Sequence, residues 1–171
     1  MPRPRKQHTI LAIDPGTREL GFAVLDGDRL LYHGVKTIES QDSPRARLDA
    51  SRKLVARMFR DFGPGVLAIE RTFFSKNRNA SLLNVLDDEI VAMAKRRKVK
   101  VVRLAASTVK KAVTGNGHAT KREVAEAVID RYPDLRAYFL NGRKWVRKYQ
   151  ANMFDAVAIG LAAQMNDEGD D

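Results

Sequence analysis

The sequence predicts a single α/β domain whose mixed sheet opens with three antiparallel strands, continues as helix and strand in alternation, and is flanked by helices. Two observations carry this. Short apolar runs joined by tight turn signals fill residues 9–38, and apolar stripes at helical spacing then alternate with short β-branched runs. A third bounds it: 171 residues suit one domain around one sizeable core.

Residues 9–13 form a short apolar run, as a buried strand should, and Pro15-Gly16 turns the chain. A second strand spans 20–25, and Asp26-Gly27 is a hairpin signal. A third runs from Arg29 to about Ile38. Ser43 followed by Pro44 reads as a helix cap with proline in the first turn. That helix extends to about Phe62 with Leu48, Leu54, Val55 and Met58 as its stripe, and Gly63-Pro64-Gly65 stops it. Residues 66–69 are a buried strand ending at Glu70. Residues 79–97 are a helix with Leu82, Leu83, Leu86, Ile90, Met93 and Ala94 on one side. A strand over 98–104 and helices from about Ser107 and Thr120 follow. Residues 132–150 show no clean period, and a final helix spans about 151–165. The expected organisation is a basic arm at 1–8, a domain at 9–165 and an acidic tail at 166–171.

Lys and Arg number 31 against 21 Asp and Glu, a formal net charge of +10. A domain this basic is self-repelling without an anionic partner, and nucleic acid is the usual one. The absence of cysteine excludes disulfides and thiolate metal sites, and is compatible with a cytoplasmic location. No apolar run reaches the roughly 20 residues that span a bilayer, so no membrane role is expected.

Three carboxylates stand out. Asp14 closes the first strand, Glu70 closes the 66–69 strand, and Asp155 lies within the last helix. Each abuts strongly apolar sequence, where a charge is costly unless paired or bound to metal. Taken singly, each also reads as a turn former or a helix-start residue. Together they are different, because neighbouring strand ends in one sheet converge. Clustered carboxylates repel, and a divalent cation relieves them. Oxygen ligands without His or Cys point to Mg²⁺ or Mn²⁺. Two such ions about 3.5–4 Å apart activate water on one side of a phosphodiester and stabilise the leaving oxyanion on the other.

The run 10–21 (ILAIDPGTRELG) resembles the opening motif of the RuvC-type Holliday junction resolvases. Residues 68–77 (AIERTFFSKN) are similar to their second motif and 154–160 (FDAVAIG) to their last. Between them, 108–117 (TVKKAVTGNG) and 119–121 (ATK) also resemble that family. The likeness spans about residues 9–164, and the order of elements is similar to the RNase H-like fold. The resemblance implies a structure-selective endonuclease that makes paired nicks in four-way DNA junctions. It implies two Mg²⁺ or Mn²⁺ ions per site held by Asp14, Glu70 and Asp155. Lys110 and Lys121 would contact DNA near the scissile phosphate, with Lys76 and Lys111 as further DNA contacts, whereas Arg143 and Lys144 read as DNA contacts from the basic charge of their own segment. Without the resemblance, the lysines read equally well as a solvated helix face. Phe73 would stack on an exposed base, its alternative being a core residue. The family usually has another ligand, Asp or His, one turn before its last Asp. Here that place is Asn152, whose neutral oxygen is a weaker donor. Asp87, Asp88 and Glu89 are expected on the exposed side of their helix. Residues 132–150 look longer than the family norm and read as an added DNA-binding segment or a basic loop. A homodimer through the 79–97 helix is expected, because two symmetric cuts need two sites.

Three other readings stand beside this one. A nuclease on the same core could act on other branched DNA or structured RNA. A non-catalytic DNA-binding module is suggested by Asn152. The turn at Asp14-Pro15-Gly16-Thr17 also resembles the phosphate-binding turn of the actin and sugar-kinase group, but those proteins duplicate the core and this chain is too short for two.

Overall fold

A computed structural model describes residues 6–38, 43–71, 78–140 and 144–167. Its sheet contains β1 (Lys6–Asp14), β2 (Glu19–Asp26), β3 (Arg29–Thr37), β4 (Pro64–Glu70) and β5 (Lys100–Leu104). The strand order is β3-β2-β1-β4-β5. β1, β2 and β3 form an antiparallel meander, while β4 joins β1 and β5 joins β4 in parallel. The helices are α1 (Pro44–Phe62), α2 (Arg78–Arg96), α3 (Ala106–Thr114), α4 (Lys121–Arg131), α5 (Arg136–Leu140) and α6 (Lys144–Asp167). Among the described residues no helix is long and apolar enough to cross a membrane.

The alternation of side chains along each central strand divides the core in two. Ile10, Ala12, Ala23, Leu25, Val66 and Ala68 face the layer built from α3, α4 and α6. Leu11, Ile13, Phe22, Val24, Leu67 and Ile69 face α1 and α2. Burial on both faces explains why β1 and β4 read as unbroken apolar runs.

The first face is rich in small residues, and this lets α6 approach closely. A Cβ on Gly160 would stand 2.3 Å from Leu25 Cδ1 and 3.3 Å from Ala12 Cβ. A Cβ on Gly21 would meet the backbone oxygen of Asn152 at 2.0 Å. Two glycines thus set the depth at which α6 lies on the sheet, and with it the position of Asp155.

Local signals act where the sequence placed them. Ser43 Oγ accepts from the Ala46 amide at 3.1 Å, Pro44 opens α1, and Gly63 closes it in the left-handed region at φ 56°. Thr120 and Glu123 form a reciprocal capping box at the start of α4.

Four expectations need correction. β1 begins at Lys6, so the last three residues of the expected arm are strand. α6 begins at Lys144, seven residues early, because residues 144–150 mix aromatic and basic types in sequence and carry no one-sided apolar stripe. It also runs to Asp167, taking in the first two residues of the expected tail. Asp87 is buried, 1% exposed, and is ion-paired with Arg103 of β5. Asp88 is exposed as expected, whereas Glu89 is half-buried and pairs with Arg52 of α1 at 2.9 Å.

Candidate active site

β1 and β4 run parallel with Ile13 opposite Ile69, so Asp14 and Glu70 follow at the ends of adjacent strands. Beyond Asp14 the chain turns sharply: a Cβ on Gly16 would stand 2.0 Å from the Glu19 carbonyl oxygen. The turn returns β2 with Gly21 opposite Asp14. Gly21 in turn admits α6, which carries Asn152 and Asp155 one helical turn apart. α3 and α4 close the other side with Lys110 and Lys121.

These side chains line one cleft of about 440 Å³. It gathers Asp14, Glu70, Asp155, Asn152, Lys110 and Lys121, together with Glu19. Lys121 Nζ donates to Asp155 Oδ2 at 3.2 Å. Asn152 Nδ2 donates to Glu19 Oε2, also at 3.2 Å. With the amide nitrogen engaged, the donor atom Asn152 could offer a cation is its oxygen.

The charges are out of balance. Asp14 is pushed up to about 7, first by burial and then by repulsion from Asp155 and Glu70, with Lys121 opposing. Glu70 is also raised, by burial and then by Asp155, with Lys121 and Lys110 opposing. Lys121 is raised chiefly by the attraction of Asp155. Four acids face two lysines in a protein whose formal net charge is +10. Among the described residues no three His, Cys, Asp or Glu side chains already stand at metal-ligating spacing, and the Lys121 ammonium partly offsets the acids' charge. The donors are carboxylate and amide oxygens, the set that suits a hard divalent cation.

Other sequence candidates lie elsewhere. Lys111 is exposed on α3 and does not line the cleft. Phe73, Lys76 and Arg143 fall outside the described residues. Lys144 is the first residue of α6, and its side chain is not among those described. Glu19 escaped the sequence reading. Its one signal was position, an acid five residues after Asp14 at the start of the returning strand.

The sheet order and helical layers define a domain of the RNase H-like class, the fold shared with a yeast mitochondrial Holliday junction resolvase (TM-score 0.69, 16% identity, 96% of this chain and 83% of that one). The family model for the crossover junction endodeoxyribonuclease RuvC matches residues 10–161, and the chain belongs to this family. It is 33% identical over 132 residues to RuvC of Porphyromonas gingivalis, covering 74% of this chain and 69% of that one. It is 37% identical over 129 residues to RuvC of Rhodopseudomonas palustris, covering 72% and 74%. The Thermus thermophilus RuvC structure superposes with a TM-score of 0.72 at 27% identity, covering 94% and 96%. A second structure of that protein, in complex with a Holliday junction substrate, gives 0.73 at 24% identity with the same coverage.

Proposed function

We propose that this protein is a divalent-metal-dependent endonuclease that resolves four-way DNA junctions by paired nicks, acting as a homodimer. The observation that carries it is the convergence of Asp14, Glu70 and Asp155 from two strand ends and a facing helix into one cleft beside Lys110 and Lys121. Family membership supports the substrate, since the relatives are crossover junction endodeoxyribonucleases.

Asp14, Glu70 and Asp155 would hold Mg²⁺ or Mn²⁺, with the Asn152 oxygen as a weaker donor. Bound cations of this kind activate water and stabilise the charge that develops on a leaving oxygen. The chain's own groups do the rest. Burial and mutual repulsion raise the Asp14 and Glu70 carboxyls, and a bound cation would favour their charged forms. Lys110 and Lys121 place positive charge where a phosphate must approach an acidic cleft, and help to orient it. The excess of basic residues over the whole chain steers DNA toward the protein.

The dimer rests on the substrate's two-fold symmetry and on α2. Val85 is 43% exposed there, with Leu82 and Leu83 half-buried nearby.

The reading is tested by incubating the protein with a synthetic four-way junction, a fork, a flap and an RNA–DNA hybrid, each with Mg²⁺, Mn²⁺ or chelator. Metal-dependent, symmetric cutting of the junction in preference to the others is expected. Equal or better cutting of a fork, flap or hybrid would assign the site to another branched or hybrid substrate.

A further inference from the structure

Beside the cleft lies a second, smaller cavity of about 140 Å³. The two share Lys121 and Asp155 in their walls, so they adjoin. The smaller one has a different chemistry. Its walls include Tyr138 and Phe139 of α5 and Phe154 of α6, and Arg122 adds a second cation beside Lys121.

The aromatic walls are braced. Phe139 meets Phe154 edge-on, with ring centroids 6.1 Å apart. Tyr138 is 42% exposed, one of few large side chains left open to solvent among the described residues. Its ring is held edge-on by His33 of β3, with centroids 5.4 Å apart. Phe154 is buried and Phe139 half-buried, so the pocket floor belongs to the core while Tyr138 forms its open lip.

Size restricts the occupant. The volume is well below the roughly 300–1,000 Å³ of pockets for drug-sized ligands, so it suits one flat ring system. Aromatic faces stack on any nucleobase, and cations at the mouth suit the phosphates on either side of it. We propose that this pocket receives one unstacked base of the strand being cut, from the nucleotide next to the phosphate that approaches Lys121 in the adjoining cleft. Base insertion would then fix the strand's register in the cleft, so that the pocket contributes to the choice of phosphodiester bond. The inference rests on the proposal that the adjoining cleft cuts DNA. It also gives a role to part of the 132–150 segment, which the sequence left as an added DNA-binding element or a loop.

The test is a cycle of one residue against one base. Junctions carrying an abasic nucleotide immediately 5′ or 3′ of the cut are compared with the intact junction, using wild type, Tyr138→Ala and Tyr138→Phe. Removal of one flanking base should lower wild-type kcat/KM by roughly 5- to 100-fold. Tyr138→Ala should show a similar loss on the intact junction and little further loss on that abasic one, whereas Tyr138→Phe should stay near wild type. Equal losses by Tyr138→Ala on intact and abasic junctions, or no loss on any, overturn the inference. A wild-type protein that cuts no junction refutes the cleavage reading instead. Insertion is then read on the bound junction with 2-aminopurine at the flanking position. Quenching that Tyr138→Ala abolishes supports the pocket, and equal fluorescence with both proteins overturns it.

Discussion

Lys121 Nζ and Asp155 Oδ2 lie 3.2 Å apart although 34 residues separate them in the chain. The capping box of Thr120 and Glu123 fixes the first turn of α4, and Gly21 and Gly160 fix the depth of α6. The contact therefore reports the closure of the whole cleft. Lys121→Ala should slow cutting by about 100-fold, the order seen when one positioned donor to developing charge is removed. If Lys121 also contacts a phosphate in the bound state, the salt dependence of junction affinity should weaken by roughly one unit of log–log slope. Filter binding over a salt series, beside single-turnover cleavage, separates the two effects. An unchanged rate would remove Lys121 from the site.

Asp14 predicts an unusual pH dependence of stability. Its carboxyl holds a proton up to about pH 7 in the folded protein, against 3.8 for the ordinary group. Between these values the folded state binds more protons than the unfolded state, so this group's contribution to stability falls as pH rises from about 4 to 7 and is flat above. The full penalty is up to about 4 kcal/mol. Asp14→Asn should therefore raise the melting temperature of the metal-free protein by several degrees at pH 8 and change it little at pH 4. Mg²⁺ should stabilise the wild type more at pH 8 than at pH 5.5, because protons and cations compete for the same oxygens. Thermal melts across pH, with and without Mg²⁺, measure both.

Asn152 and Glu19 predict a trade between stability and metal affinity. Asn152→Asp replaces the donor of a 3.2 Å hydrogen bond to Glu19 with a second carboxylate. The metal-free protein should lose about 1–3 kcal/mol, while the Mg²⁺ concentration for half-maximal cutting should fall. Chemical denaturation and a metal titration check these outcomes. An unchanged titration would exclude position 152 from the metal's ligands.

Asp87 and Arg103 tie α2 to β5, beside the strand that ends in Glu70. Asp87→Ala leaves the Arg103 guanidinium without its acid, and should destabilise the fold by about 2 kcal/mol. This is less than the 3–5 kcal/mol of a fully buried pair, because the Arg103 side chain is 34% exposed. The double replacement Asp87→Leu with Arg103→Met should recover most of that loss in urea unfolding. A single variant as stable as wild type would mean that the pair does not hold the seam.

The three acids were legible because each breaks an apolar run, and a sheet converts such breaks at neighbouring strand ends into spatial neighbours. Asn152 was legible by its distance from Asp155 along one helix. Asp87 was not. It sits beside Asp88 and Glu89 in what reads as a polar face, and its partner Arg103 is 16 residues away on another element. Glu19 was hidden for a similar reason, since its relation to Asn152 spans 133 residues. The start of α6 was obscured because residues 144–150 mix aromatic and basic side chains without the one-sided stripe that marks a surface helix.

Asp14, Glu70 and Asp155 would act together as one metal-dependent cutting site. The most direct measurement is single-turnover cleavage of a four-way junction in Mg²⁺ by Asp14→Asn, Glu70→Gln and Asp155→Asn, with junction affinity measured on the same preparations in Ca²⁺. Each variant should bind the junction within a few-fold of wild type and show no cutting above background. Wild-type rates of cutting by any two of the three would contradict the account.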